Sequence, residues 1–287
     1  MSAQQPRSVL LGLLGRGIGG SQSPTLHERE AAEHHRQLVY RLVDFGGLNL
    51  GAEDLSYVLA SAEMLGYDGF NVTHPFKTAI VPLLHELSPE ASALGAVNTV
   101  VLRDGRRTGH NTDWYGFAES MRRGLPDAEL ENVAQIGAGG AGAATAYAML
   151  TLGTQRLLVS DIDHTRAEAL ADKLGRLFPD RAIFAEANVC TALLGCNGLV
   201  QATPLGMSGH PGIPIPPQLL RKDMWVADVV YTPAETALLA QARARGCRTI
   251  NGYGMLVFQA AKAFQIFTGI APDADRMLRS FMTSQST

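Results

Sequence analysis

The segment GAGGAG at residues 137–142 restricts the fold of this 287-residue chain more than any other feature. It follows the apolar run NVAQI and precedes a run of small residues, AATAYAML. Glycines at its first, third and sixth positions let backbone N–H groups approach a phosphate at a helix N-terminus and let the helix pack closely on the strand. Asp161 ends the next apolar run, where such units hold ribose hydroxyls with an acidic side chain. The pattern predicts a dinucleotide-binding loop made of Gly137, Ala138, Gly139, Gly140, Ala141 and Gly142.

A second match to the same pattern, GRGIGG, occupies residues 15–20. It also has an acidic residue, Asp44, at the end of the next predicted strand. Its helix, however, is predicted to begin with Ser23 as the N-cap and Pro24 as the first helical residue, which leaves the loop too long to aim a helix terminus at a phosphate. Helix packing therefore favours residues 137–142 as the dinucleotide loop. We expect the first loop to bend the chain instead.

Apolar runs alternate with helical patterns along the chain, which predicts an α/β protein with parallel, doubly wound sheets. The alternation restarts after Asp113, so two α/β units are expected. A hairpin is predicted around Asp104-Gly105, because this dipeptide favours two-residue turns. The segment FKTAIVPLLHEL, residues 76–87, is predicted to be helical.

Composition excludes several classes of partner. The chain is 46% hydrophobic and 18% charged, and its net charge of −3 provides no basic surface for nucleic acid. It contains three cysteines without a C-x-x-C pair, which indicates reduced thiols rather than disulfides or a zinc site. The apolar run at residues 9–14 is short and interrupted by Gly12, unlike a signal peptide, and no run has transmembrane length. We therefore expect a cytoplasmic protein without nucleic-acid or membrane partners.

Three polar segments outside the dinucleotide unit follow predicted strands, where ligands collect in α/β proteins. Lys77 and Asp113 come from different segments and could together move the proton of an alcohol during hydride transfer. His74 and His110 flank the same segments and are alternative proton carriers. The segments are NVTHPFK (71–77), AVNT (96–99) and GHNTD (109–113).

His27, Glu30 and His34 share one face of a predicted helix and could be considered metal ligands. They belong to the highly charged segment HEREAAEHH. Such a segment more often forms a solvated helix face. We expect that arrangement here, and no metal site.

Seven segments, in order, resemble the shikimate dehydrogenase family nearly from end to end: SQSP, NVTHPFK, GAVNT, NTD, GAGGAG, VVYTPAETALL and GYGMLVFQAAKAF. The resemblance implies an N-terminal α/β substrate domain over residues 1–112, completed by C-terminal helices over 252–287. Residues 113–251 would form a Rossmann-type, doubly wound dinucleotide-binding domain. The implied reaction is reversible oxidation of the ring C3 hydroxyl of a small cyclic hydroxy acid. The protein would be a monomer or a homodimer.

The resemblance also implies roles for individual residues. Lys77 would be the catalytic acid/base and Asp113 its hydrogen-bonded partner. Hydroxyl groups would hold the substrate carboxylate, and further polar side chains would bind its ring hydroxyls, which allows analogues lacking a hydroxyl to be rejected. The carboxylate-binding residues would be Ser21, Ser23 and Tyr231, and the hydroxyl-binding residues would be Thr73, Asn98 and Gln259.

Charge near the predicted ribose site favours NAD over NADP as the cofactor. Asp161 can accept hydrogen bonds from a free ribose 2′-hydroxyl and would repel a 2′-phosphate. Arg166 could stack on adenine or reach a phosphate, which leaves NADP as the alternative.

Two departures from the family pattern are similar to its NAD-dependent quinate/shikimate branch. The turn SDIDHTR replaces a basic turn, and RGIGG replaces the usual Pro and His before the serine pair. The glycines before Ser21 could make room for the additional C1 hydroxyl of quinate. NAD-dependent oxidation of quinate, shikimate or both is therefore expected. A biosynthetic NADP-dependent shikimate enzyme, an aminoshikimate-type paralogue and a ligand-sensing regulator without catalysis are the alternatives.

Overall fold

The computed structural model describes residues 8–285, and the chain divides into two compact units. The first unit runs to Thr112 and resumes at Gln259, and the second is Asp113–Phe258. The chain thus returns to the first unit later than the expected position 252. The protein is an α/β protein, as predicted.

The first unit contains one six-stranded mixed sheet with the strand order β2-β1-β3-β5-β6-β4. Strands β1, β2 and β3 pair in parallel, whereas β5 is antiparallel to both β3 and β6. The sheet is therefore mixed rather than wholly parallel. The elements are β1 (Val9–Gly15), α1 (Ser23–Glu33), β2 (Leu38–Asp44), α2 (Leu55–Met64), β3 (Gly69–Val72), β4 (Glu86–Leu87), α3 (Pro89–Leu94), β5 (Thr99–Arg103) and β6 (Arg106–His110).

The second unit contains a six-stranded, all-parallel sheet with the order β12-β11-β10-β7-β8-β9. This is the Rossmann order, in which the order of the strands across the sheet reverses at the neighbouring parallel strands β7 and β10. The elements are α4 (Asp113–Gly124), β7 (Asn132–Ile136), α5 (Gly140–Thr151), β8 (Arg156–Ser160), α6 (His164–Leu177), β9 (Ala182–Ala185), α7 (Val189–Ala192), β10 (Gly198–Gln201), β11 (Trp225–Asp228), α8 (Ala237–Ala244) and β12 (Arg248–Ile250). Two C-terminal helices follow, α9 (Tyr253–Thr268) and α10 (Ala274–Ser284).

Strand β1 is buried on both faces, which explains its continuous apolar sequence. Leu11 and Leu13 pack with Phe264 and Phe267 of α9 on one face. Leu14 faces the opposite cluster, which includes the buried leucines of α2. The C-terminal helix α9 thus completes the core of the first unit.

The predicted hairpin is confirmed, because Asp104 and Gly105 connect β5 and β6 with φ angles of 52° and 71°. The predicted helix over residues 76–87 is wrong. Within that segment the structure has turns, a short 3₁₀ turn at Val81–Leu83 and strand β4, which pairs with β6. Pro82 has no N–H to donate within a helix, and β6 provides backbone partners for the strand.

The predicted solvated face of α1 is also wrong. His27 is 0% exposed and Glu30 only 2%. Glu30 accepts hydrogen bonds from Arg276 at the start of α10 and from the Asp273 backbone N–H, each at 2.7 Å, and contacts His34. Helix α10 therefore covers a charged face of α1, which the local sequence could not reveal. Within residues 8–285, no group of three or more potential ligands could hold a metal ion.

No helix in the described part of the chain, residues 8–285, is long and apolar enough to cross a membrane.

His27 links acidity to stability. Burial lowers its pKa to about 3, whereas an unfolded histidine titrates near its usual 6.5. Between these values the unfolded chain binds more protons, so the free energy of unfolding falls as pH falls, by up to about 1.4 kcal/mol per pH unit. His27→Phe keeps an aromatic ring against Tyr40 and should flatten this pH dependence, as measured by urea denaturation between about pH 4.5 and 6.5.

His210→Phe is the matched control, because His210 is exposed. It should keep the pH dependence of the unmodified protein. Parallel curves for His27→Phe and the unmodified protein would contradict the assignment.

Candidate functional site

The loop between β7 and α5 has the geometry that the glycine pattern predicts. Gly137 has a φ of +105°, a conformation that favours glycine. A Cβ at position 142 would lie 2.1 Å from the Gly137 carbonyl oxygen, so only glycine allows α5 to approach β7 this closely. The close packing of helix on strand that the glycine pattern predicts is therefore observed.

Gln135, inside β7, fixes the loop to the helix. Its side-chain amide donates to the carbonyl oxygens of Gly137 and Gly142, at 2.9 and 2.8 Å. Its oxygen accepts from the Thr145 hydroxyl of α5 at 2.9 Å. Gln135 is fully buried, and sequence reasoning missed it. The available signal was a lone amide in the apolar run NVAQI.

The outer side of this loop fits a pyrophosphate. A Cβ added at Gly139 or Gly140 would have no described protein atom within 4 Å. Gly140 is the first residue of α5, and the first N–H groups of a helix have no partners within it. The helix dipole adds positive potential at the same place. The open loop, backbone donors and favourable potential together suit a phosphate anion.

Asp161 follows β8 and lies beside the loop. Its Oδ2 accepts the Ala138 N–H at 2.7 Å and its Oδ1 accepts the Asp163 N–H at 2.9 Å. The Nε of Arg166 lies 3.2 Å from Asp163 Oδ2. The Thr165 hydroxyl and Arg166 lower the pKa of the Asp163 carboxyl. Two carboxylates and one paired guanidinium therefore occupy the turn after β8.

The first glycine loop, GRGIGG, has a different arrangement. Asp44 accepts the N–H groups of Gly17 and Ile18, each at 3.0 Å, and that of Gly46 at 2.9 Å. These hydrogen bonds, led by that from Gly17, lower the pKa of Asp44. Two successive N–H groups of the loop are thus bound by a carboxylate of the chain itself, which leaves them unsuited to a phosphate.

The predicted carboxylate-binding serines lie together at the start of α1. The Ser21 hydroxyl lies 3.2 Å from that of Ser23 and accepts the Ser23 N–H at 3.3 Å. Ser23 was predicted as the helix N-cap, but the N-cap is Gln22 and Ser23 is the first helical residue. Thr73 lies beside the end of β1, because a Cβ at Gly15 would lie 2.5 Å from the Thr73 methyl group.

Asn98 and Gln259 lie together in the first unit. The Asn98 Oδ1 accepts the Thr112 N–H at 2.8 Å, which fixes the orientation of the amide. Its Nδ2 donates to the Thr112 hydroxyl at 2.9 Å and to Gln259 Oε1 at 3.4 Å. Asn98 and Thr112 are buried. Two predicted hydroxyl-binding amides thus share one hydrogen-bonded cluster.

The candidate proton carriers follow the strands as expected. Lys77 lies after β3, is partly buried, and its carbonyl oxygen accepts the Val97 N–H at 2.8 Å. Asp113 is buried and begins α4, in the second unit. The alternative carriers differ in environment. His74 is exposed, whereas burial lowers the pKa of His110.

Tyr231 lies in the second unit, in the segment between β11 and α8, and is 43% exposed. Asp228 holds this segment in place by accepting the Val230 N–H at 3.0 Å and the Thr236 hydroxyl at 2.7 Å. Sequence reasoning missed this residue. Burial raises the pKa of Asp228 to about 6. The Thr236 side chain also caps α8, so both ends of the segment are fixed.

Comparison with known proteins decides the family. The pattern described as "Shikimate dehydrogenase substrate binding domain" matches residues 13–100, and "Shikimate 5'-dehydrogenase C-terminal domain" matches residues 252–280. The NADP-dependent shikimate dehydrogenase of Streptomyces avermitilis is 54% identical over 94% of both chains. The chain belongs to the shikimate dehydrogenase family. The predicted family is confirmed.

Relatives of both cofactor types are similar to this member of the family. The NAD-dependent quinate/shikimate dehydrogenase of Corynebacterium glutamicum (strain R) is 46% identical over 96% of this chain and 99% of its own. A crystal structure of quinate dehydrogenase from C. glutamicum with NAD matches with a TM-score of 0.92 and 46% identity, covering 96% of this chain and 99% of that one. The protein is therefore an oxidoreductase that uses a nicotinamide dinucleotide. Its similar relatives include both NADP-dependent and NAD-dependent enzymes.

The contact at Gly142 predicts the effect of a single methyl group. Gly142→Ala should destabilise the second unit by about 1–3 kcal/mol and weaken dinucleotide binding, because the Cβ would overlap the Gly137 carbonyl. Thermal unfolding and a dinucleotide titration measure the two effects.

Gly175→Ala on α6 is the control, since no described atom lies within 4 Å of a Cβ there. Alanine favours a helix over glycine, so this change should preserve or raise the melting temperature. An unchanged melting temperature in Gly142→Ala would contradict the packing account.

Proposed function

We propose that the protein is an NAD-dependent dehydrogenase that oxidises the C3 hydroxyl of quinate, shikimate or both. The products are 3-dehydroquinate and 3-dehydroshikimate. The observation that carries the NAD assignment is the position of Asp161, whose carboxylate accepts the Ala138 N–H of the predicted pyrophosphate loop at 2.7 Å. A carboxylate at this place binds the ribose hydroxyls of NAD and repels the 2′-phosphate of NADP.

Arg166 is the feature that favours NADP, since a guanidinium can bind a 2′-phosphate. Its Nε lies 3.2 Å from Asp163, so a carboxylate already partners it. Both side chains are well exposed, at 66% and 45%, so the ion pair itself is weak. Asp163 nevertheless adds a second negative charge close to Asp161. Use of NADP through Arg166 is the alternative.

Loop 137–142 would hold the cofactor's pyrophosphate, and the nicotinamide when bound supplies the hydride acceptor. The Nζ of Lys77 takes the proton of the substrate hydroxyl, and the hydride leaves the carbon that bears this hydroxyl. The alcohol thereby becomes a ketone. Asp113 holds the Lys77 ammonium that results. In the reverse direction Lys77 returns the proton to the carbonyl oxygen. His74 and His110 are the alternative proton carriers.

Polar groups matched to the substrate would set its orientation. The hydroxyls of Ser21, Ser23 and Tyr231 donate to the carboxylate. Thr73, Asn98 and Gln259 bind the ring hydroxyls. Since the Oδ1 of Asn98 accepts the Thr112 N–H, its Nδ2 is the donor atom, and a ring hydroxyl would replace the long hydrogen bond from Nδ2 to Gln259 Oε1 at 3.4 Å. Polar groups matched to several hydroxyls can reject analogues that lack one.

Space before the serine pair supports quinate as a substrate. A Cβ added at Gly19 or Gly20 would meet no atom within 4 Å in the described part of the chain. The additional C1 hydroxyl of quinate lies beside the carboxylate, which Ser21 and Ser23 would bind. An aminoshikimate-type substrate is the alternative within this enzyme class. A ligand-sensing regulator is the alternative outside it, and NADH formation from quinate or shikimate would exclude it.

Lys77→Ala should lower kcat for the oxidation of quinate or shikimate by about 100-fold or more, because the reaction loses its proton acceptor. Dinucleotide affinity should change by less than about twofold, because loop 137–142 belongs to the other unit. Initial rates of NADH formation and a dinucleotide titration test the two statements.

Lys222→Ala, at an exposed lysine of the second unit, controls for the loss of a positive charge. It should retain the unmodified rate. Near-full turnover by Lys77→Ala would reject the role of Lys77, whereas no NADH formation by the unmodified protein with either acid would reject the proposed function.

A further inference from the structure

A chain of hydrogen bonds crosses the interior of the first unit toward the ring-hydroxyl end of the proposed substrate site. It begins at Tyr40 on β2, whose backbone N–H donates to the Glu28 carboxylate of α1 at 2.8 Å. The Tyr40 hydroxyl donates to Asn71 Oδ1, on β3, at 2.8 Å.

The second half of the chain reaches the ring-hydroxyl end. The Nδ2 of Asn71 donates to the Thr99 hydroxyl on β5 at 3.0 Å. The Thr99 hydroxyl in turn donates to Asn98 Oδ1 at 3.0 Å. From Tyr40 onward every member donates toward Asn98, so the hydrogen bonds share one direction and reinforce one another.

Burial gives this chain a single favourable arrangement. Tyr40, Asn71, Thr99 and Asn98 are all buried, and Thr99 is 0% exposed. A buried polar group without a hydrogen-bond partner destabilises the protein. Turning one hydroxyl or amide the other way would therefore leave its neighbours in the hydrogen-bonded chain without partners. Burial raises the pKa of the Tyr40 phenol, and the hydroxyl therefore keeps the proton that it donates to Asn71.

His27 supports Tyr40 without competing for its hydroxyl. The two rings stack with centroids 5.0 Å apart. Neither ring nitrogen of His27 has a hydrogen-bond partner among residues 8–285. The histidine therefore packs as an aromatic surface, and the Tyr40 hydroxyl remains available to Asn71.

We propose that Tyr40 is a positioning residue for substrate binding, an inference that rests on the proposed function. Through Asn71 and Thr99 it holds the amide of Asn98 at the ring-hydroxyl end, together with the Thr112 N–H. The substrate then meets an amide that is already oriented, which lowers the entropic cost of binding. Tyr40 itself neither touches the reacting atoms nor moves a proton.

Tyr40→Phe tests the proposal, because it removes the hydroxyl and keeps the ring on His27. We expect the Kd and KM for quinate or shikimate to rise about 10-fold, because Asn71 Oδ1 loses its donor and the hydrogen bonds that orient the Asn98 amide are weakened. The kcat and the Kd for the dinucleotide should stay within about threefold. Calorimetric titration and initial rates measure these values.

Thr99→Val breaks the chain at a residue with no proposed substrate contact and should produce the same separation of KM from kcat. It decides the proposal if Tyr40→Phe fails to fold. Tyr67→Phe is the matched control, because Tyr67 is a half-buried tyrosine that stacks on Phe70 in the same unit. It should leave substrate affinity unchanged.

Several results would overturn the proposal. A lower melting temperature with unchanged substrate affinity in Tyr40→Phe would show that the hydrogen-bonded chain contributes only to stability. Equal losses of substrate and dinucleotide affinity would indicate general loosening. An unmodified protein that binds neither acid would overturn the proposed function and this inference together, whereas normal binding by the unmodified protein, Tyr40→Phe and Thr99→Val alike would overturn only the inference.

Discussion

The close approach of α5 to β7 is the contact on which the proposed cofactor site depends. Gly142 lies against the carbonyl of Gly137 with no space for a Cβ, and Gln135 ties both residues together from inside the sheet. This packing fixes the direction of the α5 N-terminus. The backbone amides that we propose bind phosphate and the Ala138 N–H that donates to Asp161 are both oriented by that packing.

The two glycine loops show why spacing alone does not define a site. Both have three glycines at the same intervals and an acidic residue after the next strand. At residues 137–142, small residues allow a helix to begin at once and leave the outer face of the loop open. In the other, Asp44 binds two successive N–H groups of the loop, and α1 begins only at Ser23. The two loops therefore differ in how soon the following helix begins.

Local patterns predicted the parts of the fold that local interactions determine. The Asp104-Gly105 turn and the start of α5 depend on residues that are neighbours in sequence, and both were predicted. The buried face of α1 was not, because its partners Phe264 and Arg276 lie more than two hundred residues away. The helix prediction for residues 76–87 failed for a similar reason, because β4 forms through its pairing with β6. Among the polar residues, Tyr40 and Gln135 gave weak signals because their partners come from other elements.

The most direct test of the account is a comparison of initial rates with quinate and shikimate, each with NAD and with NADP, for the unmodified protein and for Asp161→Ala. The account predicts NADH formation with at least one acid, a higher kcat/KM with NAD than with NADP, and a smaller preference for NAD in Asp161→Ala. A higher kcat/KM with NADP, or a preference that the substitution leaves unchanged, would contradict it.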